Sequence, residues 1–209
     1  GYISLEFATV ASALGRSVTI VHSRERLMER FCPEMIPELR KSCAEQRIEL
    51  RTGVRPQSIE KSGAEYHVAL TDGTTIETDV VFAAVGRLAN TAEMGLEAVG
   101  VEHSRRGISV NGRMQTSVPS IYAIGDCVDT VQLAPVCDYE AHIAAANILA
   151  GGRSPEIDYS TVPTVVFTYP QLAQIGVTDA AEDPDISVIS GSGAGWPNYR
   201  RLNETHMRY

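Results

Sequence analysis

Hydrophobic and polar residues follow helix-like and strand-like patterns in turn over the first fifty residues. Residues 2–14 carry apolar side chains at helical spacing up to Gly15, and residues 17–22 form a β-branched run, which predicts a helix and then a strand. Residues 32–46 predict a second helix with prolines near its start, and residues 47–53 predict a short strand. With a further strand expected before Gly1, this order favours a parallel, doubly wound α/β sheet.

The pattern changes after this segment. Three strand-like segments are separated by the turn signals Ser62-Gly63 and Asp72-Gly73, which predicts a β-meander. The meander is expected to lead back to a buried apolar strand, Val80 to Val85. Further along, residues 107–127 predict two short strands and residues 139–150 an alanine-rich helix. A polar loop then precedes another strand within residues 161–168.

Composition narrows the classes of function. The chain has 209 residues, 44% of them hydrophobic, and a net charge of -8. Because a nucleic-acid binder needs a basic surface, this charge argues against that class. No apolar run reaches the roughly 18 residues of a membrane span, and no signal-peptide pattern is present, so we expect a soluble, cytoplasmic protein with no membrane partner.

Cysteine and histidine spacing predicts neither a disulfide framework nor a metal site. The four cysteines lack the spacing of a zinc site and are expected to be reduced thiols: Cys32, Cys43, Cys127 and Cys137. The five histidines share no metal-binding spacing either.

The first 26 residues match the second half of a dinucleotide-binding turn, in which a glycine precedes a helix and then a strand. NAD-specific sites place an acidic residue about 20 residues after the glycine turn. Here residues 22–26 read His-Ser-Arg-Glu-Arg. Two guanidinium groups and a hydroxyl could bind a 2′-phosphate, which favours NADPH, while Glu25 leaves NADH as the alternative.

A second glycine-rich stretch, residues 185–196, has a strand followed by G-x-G-x-G. Pro197 and Asn198 follow almost at once, so no helix N-terminus is expected there to receive a phosphate. We interpret this stretch as a glycine loop.

Four stretches in order along the chain together carry a family resemblance. They are "GYISLEFA" with "LGRSVTIV", "FAAVGRLANT" (82–91), "TSVPSIYAIGDC" with "LAPVCDYEAHIAAANI" (116–148), and "VPTVVFTYPQLAQIGVTDA" (162–180). The set resembles the flavin-dependent pyridine nucleotide–disulfide oxidoreductases, such as glutathione reductase and dihydrolipoamide dehydrogenase. The resemblance implies FAD and a pyridine nucleotide as cofactors, and residues 22–26 favour NADP over NAD.

The resemblance also implies a domain organisation. Residues 1–115 would be a Rossmann-like NAD(P)-binding domain without its first strand and with the β-meander. Residues 116–152 would be a return segment of the FAD domain, and residues 153–209 the start of an α+β interface domain. The full-length protein would be a homodimer. The family's C-x-x-x-x-C disulfide and His–Glu pair are absent from this chain, so no catalytic residue is assigned.

Cofactor-binding residues follow from the same resemblance. Gly1 would approach the pyrophosphate, Tyr2 would cover the flavin, and Glu6 would lie near the nicotinamide. Asp126 would bind the ribityl chain of FAD. The complete set expected at the coenzyme is Gly1, Tyr2, Ile3, Glu6, His22, Ser23, Arg24, Gly86 and Arg87, and the set expected at FAD is Gly125, Asp126, Leu133 and Ala134. Simpler alternatives are a packed aromatic for Tyr2, a solvated carboxylate for Glu6 and an ordinary turn for residues 86–87.

The expected function is transfer of hydride from NADPH through flavin to a small-molecule disulfide or related substrate. One alternative is an NAD(P)H oxidase-type flavoenzyme without a redox disulfide. A non-catalytic nucleotide-binding module is another.

Overall fold

The computed structural model describes residues 1–152, 155–177 and 184–209. It forms two compact units, Gly1–Val85 with Pro163–Tyr209, and Gly86–Val162. The first two residues of the predicted interface domain, 153–154, and the last three of the motif at 162–180 lie outside the described residues. No described helix is both long enough and apolar enough to cross a membrane.

The first unit begins with the predicted alternation of helices and strands. Helix α1 spans Tyr2–Ala13 and strand β1 spans Val18–His22. A 3₁₀ turn, Pro33–Met35, leads into helix α2, Ile36–Glu45, and then into strand β2, Ile48–Thr52. Strands β1 and β2 pair in parallel, with Val18 opposite Ile48 and His22 opposite Thr52. The predicted parallel sheet is confirmed.

The β-meander is confirmed as well. Strands β3 (Pro56–Ser62), β4 (Glu65–Leu70) and β5 (Thr75–Thr78) form an antiparallel sheet in the order β3-β4-β5. The two glycine turns join them where the sequence indicates, because Gly63 and Gly73 adopt the positive φ angles that such turns require.

The buried strand predicted at Val80 to Val85 is wrong. This segment has no strand hydrogen bonds to any other described residue, and Val80 and Val85 are 68% and 94% exposed. Among the described strands, β1 pairs with β2 alone, so no neighbouring strand covers these side chains. Phe82 instead stacks on Phe7 of α1, with ring centroids 4.5 Å apart. An apolar run becomes a buried strand only when strands or helices flank it.

The core of the first unit lies between α1, the two parallel strands and α2. Its buried side chains come from both helices, both strands, the loop after β1 and residue 166: Leu5, Ala8, Ile20, Leu27, Met28, Phe31, Ile36, Leu39, Cys43, Ile48 and Val166. Leu5 and Ala8 lie one helical turn apart on one face of α1. The apolar contacts of this face therefore seat the helix against the sheet.

The second unit is mostly irregular. Strands β6 (His103–Ser104) and β7 (Gly107–Ile108) form a two-residue hairpin, and helix α3 spans Ala134–Leu149. Of the two strands predicted in residues 107–127, only β7 forms, and the rest contributes single bridges such as Gln115 to Tyr122. The helix predicted at 139–150 begins five residues earlier, because Pro135 occupies its first turn, where a missing N–H costs nothing.

A buried carboxylate organises the second unit. Glu140 of α3 is completely buried and accepts three hydrogen bonds. The donors are the backbone N–H of Gly125 (2.6 Å), the hydroxyl of Thr130 (2.6 Å) and the phenol of Tyr159 (2.7 Å). Burial and the bond to Glu140 raise the pKa of Tyr159, so the phenol stays a donor. Glu140 therefore ties the 125–130 loop to α3.

The chain returns to the first unit with the hairpin of β8 (Thr164–Val166) and β9 (Leu172–Gln174) and the short helix α4 (Pro197–Arg201). No helix was expected after the second glycine stretch, and this prediction is wrong. Helix α4 begins at Pro197, because proline suits the first turn of a helix.

The second glycine stretch itself is a loop paired with the C-terminal residues. The backbone N–H of Gly191 donates to Tyr209 O at 2.9 Å, and the Tyr209 hydroxyl lies 2.6 Å from where a Cβ on Gly191 would be.

All four cysteines are free, which confirms the predicted thiols. Cys43 belongs to the buried core, and burial raises its thiol pKa to about 11. Such a thiol stays protonated and unreactive near neutral pH.

The C-terminal segment is held to α2 by a carboxylate clasp, which we define as His206 with Glu38 and Glu45. His206 Nδ1 lies 2.8 Å from Glu38, and Nε2 lies 2.8 Å from Glu45. Burial by itself would lower the pKa of His206, but the two carboxylates outweigh it and raise that pKa. The bond to His206 lowers the pKa of Glu38, and Lys41 and Arg208 nearby act in the same direction. Both ring nitrogens donate only in the imidazolium form.

The clasp predicts a pH-dependent stability. The raised pKa of His206 means that its contribution is full below pH 6.5 and is lost as the pH rises through the raised value. The lowered pKa of Glu38 means that its contribution is present above pH 4.5 and is lost as the pH falls through the lowered value. We expect His206→Gln to reduce the free energy of unfolding by about 1–2 kcal/mol at pH 5.5, and by less at pH 9.

Urea unfolding at the two pH values measures this effect. The control is His142→Gln, since His142 is exposed on α3 and its ring faces the backbone carbonyl of Asp138. An equal loss for His206→Gln at both pH values would contradict an ionised clasp.

Removing the Glu140 carboxylate is expected to destabilise the protein. Glu140→Ala leaves three donors without an acceptor, and we expect a loss of about 3 kcal/mol in the free energy of unfolding. Asp138→Ala, an exposed carboxylate on the same helix, is the matched control and should change it by less than about 0.5 kcal/mol. Urea unfolding of both variants tests this, and equal losses would show that Glu140 is not the organising group.

Candidate functional site

The N-terminus of α1 and the carboxyl ends of β1 and β2 lie at one edge of the first unit. Gly1 caps α1, and the Ser4 hydroxyl accepts from the Gly1 nitrogen at 2.9 Å and donates to the Gly1 carbonyl at 3.0 Å. Gly1 has no side chain, and no described atom lies within 4 Å of where its Cβ would be. The first N–H groups of a 12-residue helix supply donors and a partial positive charge there.

The loop after β1 is anchored to the end of β2. The backbone N–H of Gly53 donates to Arg24 O at 3.1 Å, and that of Val54 donates to His22 O at 3.3 Å. Gly53 has φ +74°, and the Glu25 carboxylate occupies the space that a Cβ would need. A side chain at position 53 would therefore have to displace the end of the Glu25 side chain and adopt a φ angle that residues other than glycine rarely adopt.

A cavity of about 200 Å³ opens at this edge. Its lining residues come from α1, β1 and the following loop: Gly1, Tyr2, His22, Arg24, Met28, Glu29, Arg30 and Phe31. Tyr2 and Phe31 contact each other with ring centroids 5.8 Å apart and, with Met28, form an apolar floor. An apolar floor with a few charged groups at its rim is typical of a small-molecule site.

Only part of this lining was predicted from sequence. The expected residues that reach the cavity are Gly1, Tyr2, His22 and Arg24, whereas Ile3, Glu6 and Ser23 do not line it. Sequence reasoning missed Met28, Glu29, Arg30 and Phe31. The available signal was the spacing of Leu27, Met28 and Phe31, whose buried side chains fold the loop back toward α1.

Charge at the cavity rim is mixed. Arg24 forms an ion pair with Glu29, and both side chains are substantially exposed. Arg30 has no ion pair within the described ranges of the chain. Arg26 donates to the Phe31 carbonyl at 2.5 Å and so stabilises the loop itself. Burial is the largest cause that lowers the pKa of His22, and the positive charges of Arg24 and Arg40 act in the same direction.

The remaining predicted residue with a contact in this unit is Glu6. Its carboxylate accepts from the backbone N–H of Phe167 at 3.0 Å and so joins α1 to the residue after β8. Ile3 is 39% exposed on α1, and Ser23 is exposed at the end of β1.

Six predicted residues belong to the second unit. Arg87 forms an ion pair with Asp126, although 39 positions separate them. Gly125 precedes Asp126 with φ +72°, and a Cβ there would lie 2.7 Å from the Cys137 sulfur. Leu133 caps α3 and Ala134 begins it. Gly86 also has a positive φ, with open space around it.

Among the described ranges, no three His, Cys, Asp or Glu side chains are grouped as metal ligands would be.

Three comparisons with known proteins agree. The family model described as pyridine nucleotide-disulphide oxidoreductase matches residues 1–141. A glutathione reductase of Burkholderia cepacia is 38% identical over 181 residues, and a dihydrolipoyl dehydrogenase of Synechocystis is 38% identical over 193 residues. Each match covers 86% of this chain and 40% of the relative, so the chain spans less than half of the length of these relatives.

Solved structures show the same similarity. LpdA from Mycobacterium tuberculosis aligns with a TM-score of 0.85 at 28% identity, over 97% of this chain and 45% of that one. The HOCl-induced flavoprotein disulfide reductase RclA from Escherichia coli, solved as a Cu(II) complex, aligns with a TM-score of 0.91 at 25% identity, over 100% of this chain and 49% of that one. These matches confirm the α/β fold class, and with the family model they establish that the chain belongs to the pyridine nucleotide–disulphide oxidoreductase family.

Proposed function

We propose that this chain is the coenzyme-binding core and a flavin-contacting segment of an FAD-dependent oxidoreductase that uses NADPH to reduce a small-molecule disulfide or related substrate. The observation that carries the proposal is the cavity at the N-terminus of α1, where arginines and an apolar floor meet. The names of the relatives, glutathione reductase and dihydrolipoyl dehydrogenase, support the substrate class.

The cavity fits the phosphorylated ribose end of a dinucleotide. Gly1 has no side chain that would block a pyrophosphate, and the N–H groups of α1 would stabilise its negative charge. The aromatic and thioether groups of the floor suit a purine ring.

The rim chemistry favours a 2′-phosphate over a free ribose hydroxyl. Arg24 and Arg30 present guanidinium groups, which bind phosphate oxygens through paired hydrogen bonds. His22 stands at the end of β1, where NAD-specific sites hold an acid, so this position has no carboxylate to accept from the ribose hydroxyls. Glu25 is the acidic residue that would support NADH as the alternative coenzyme. Its carboxylate lies against Gly53 and does not line the cavity.

Residues of the second unit suit the polar chain of FAD. Asp126 is exposed after Gly125, and the ion pair with Arg87 balances its charge. In the proposal, Asp126 accepts from a ribityl hydroxyl while Leu133 and Ala134 offer the N-terminus of α3. When bound, FAD would supply the two-electron redox chemistry, and the protein residues would orient it.

The wider organisation belongs to the same proposal. Residues 1–115 would serve the coenzyme, 116–152 the flavin and 153–209 a dimer interface, in a cytoplasmic homodimer. Tyr2, Ile3, Glu6 and Ser23 would contact bound coenzyme or flavin, as the family resemblance implies. Gly86 and Arg87 would complete the coenzyme turn.

Removing Arg24 tests the coenzyme. We expect Arg24→Ala to weaken NADPH binding about tenfold or more, because a charge-assisted hydrogen bond to phosphate contributes about 1.5–3 kcal/mol. NADH binding should change less than about twofold. Fluorescence titration of the complete natural protein with both coenzymes measures this.

The control is Arg16→Ala, which removes the same charge beyond the opposite end of α1. Tighter binding of NADH than NADPH by the unaltered protein would contradict the proposed coenzyme.

Removing Asp126 tests the flavin. We expect Asp126→Ala to retain far less FAD per chain, because the ribityl acceptor is lost and Arg87 is left without its partner. The absorbance near 450 nm, divided by the concentration of the purified complete protein, measures how much FAD is retained. Asp129→Ala, a nearby carboxylate paired with Arg106, is the control. A colourless unaltered protein would contradict the flavin assignment and favour a binding module.

A further inference from the structure

The loop after β1 holds one acidic side chain at the cavity, and the proposed function leaves it without a role. Glu29 lines the cavity beside Arg24 and Arg30 and forms an ion pair with Arg24. The side chains of Arg24 and Glu29 are 65% and 41% exposed, so both can reach a molecule that enters from solvent. Glu29 is the one carboxylate among the described residues of this lining.

The loop backbone fixes where Glu29 lies. Met28 has φ +50°, and the N–H of Phe31 donates to the Met28 carbonyl at 2.8 Å, which places Glu29 and Arg30 at the tip of a tight turn. Met28 and Phe31 on either side of this tip are buried in the core. The tip therefore cannot leave the cavity without exposing both apolar side chains.

A carboxylate paired with Arg24 affects the two coenzymes differently. A 2′-phosphate carries more than one negative charge and must displace or share Arg24 with Glu29, while the two anions repel each other. A free ribose hydroxyl is neutral, so it does not compete with Glu29 for the charge of Arg24. The pair thus lowers affinity for the phosphorylated coenzyme selectively.

We propose that Glu29 is a specificity-determining residue, an internal anion that competes with the coenzyme 2′-phosphate for Arg24 and restrains NADPH affinity. This inference rests on the proposed coenzyme site. It is distinct from the NAD-type role of an acid, in which the carboxylate would accept from the ribose hydroxyls and support NADH binding.

The test is Glu29→Gln in the complete natural protein, titrated with NADPH and NADH at low ionic strength. We expect the dissociation constant of NADPH to fall about three- to tenfold, and that of NADH to change less than about twofold. Glu34→Gln removes an equal charge from an exposed position a few residues on, outside the cavity lining, and should leave both constants unchanged. In an Arg24→Ala background, Glu29→Gln should strengthen NADPH binding much less than in the unaltered protein, because the competition for Arg24 is gone and only the repulsion between the carboxylate and the phosphate remains.

Other outcomes overturn the inference. Weaker NADH binding with unchanged NADPH binding would make Glu29 a ribose acceptor. Unchanged binding of both would make the pair a surface contact. An equal gain in NADPH affinity from Glu34→Gln would show that the effect comes from the net charge of the protein and not from the position of Glu29. A failure of the proposed function can be distinguished from a failure of this inference. In that case the unaltered protein would bind NADH more tightly than NADPH, and Arg24→Ala would not weaken NADPH binding.

Discussion

The parallel pairing of β1 with β2 is the constraint on which the candidate site depends. Parallel strands end at the same edge of a sheet, so His22 and Thr52 finish side by side and the loops that follow them can hydrogen-bond. Helix α1 is seated on this pair through Leu5 and Ala8, which brings its N-terminus to the same edge. The cavity exists because a helix start and a strand end converge there.

The arginines at this edge have the opposite sign to the net charge of the whole chain. The protein carries a net charge of -8, yet arginines at positions 24 and 30 line the cavity. Local charge placement, rather than net charge, decides which anion a site attracts. The ion pair with Glu29 then sets how much of that positive charge is available. Because the pair is exposed, salt and a competing anion both act on it.

The second unit solves a different problem, since it has few strands to order its loops. A buried carboxylate takes that role, because Glu140 accepts from one backbone group and one side chain of the 125–130 loop and from the Tyr159 side chain. A buried charge is tolerated only when hydrogen bonds replace its hydration, and here three donors do so. The loop that carries Asp126 is therefore positioned by a group that sits on a helix fourteen residues later, Glu140.

The sequence by itself determined the parts that depend on local periodicity. Helix α1, strands β1 and β2 and the β-meander follow from apolar spacing and glycine turns, and four ordered motifs by themselves indicate the family. Gly1 and Arg24, which both line the cavity, were predicted as site residues because a dinucleotide-binding turn has a recognisable spacing.

Only the tertiary structure decided burial and pairing between distant segments. The apolar run at residues 80–85 has the composition of a core strand, yet it is exposed, because burial depends on which elements flank it. Glu29 reaches the cavity through a turn that no periodicity reveals. The pairing of Arg87 with Asp126 depends on a chain path, and residue spacing along the sequence carries no information on that path.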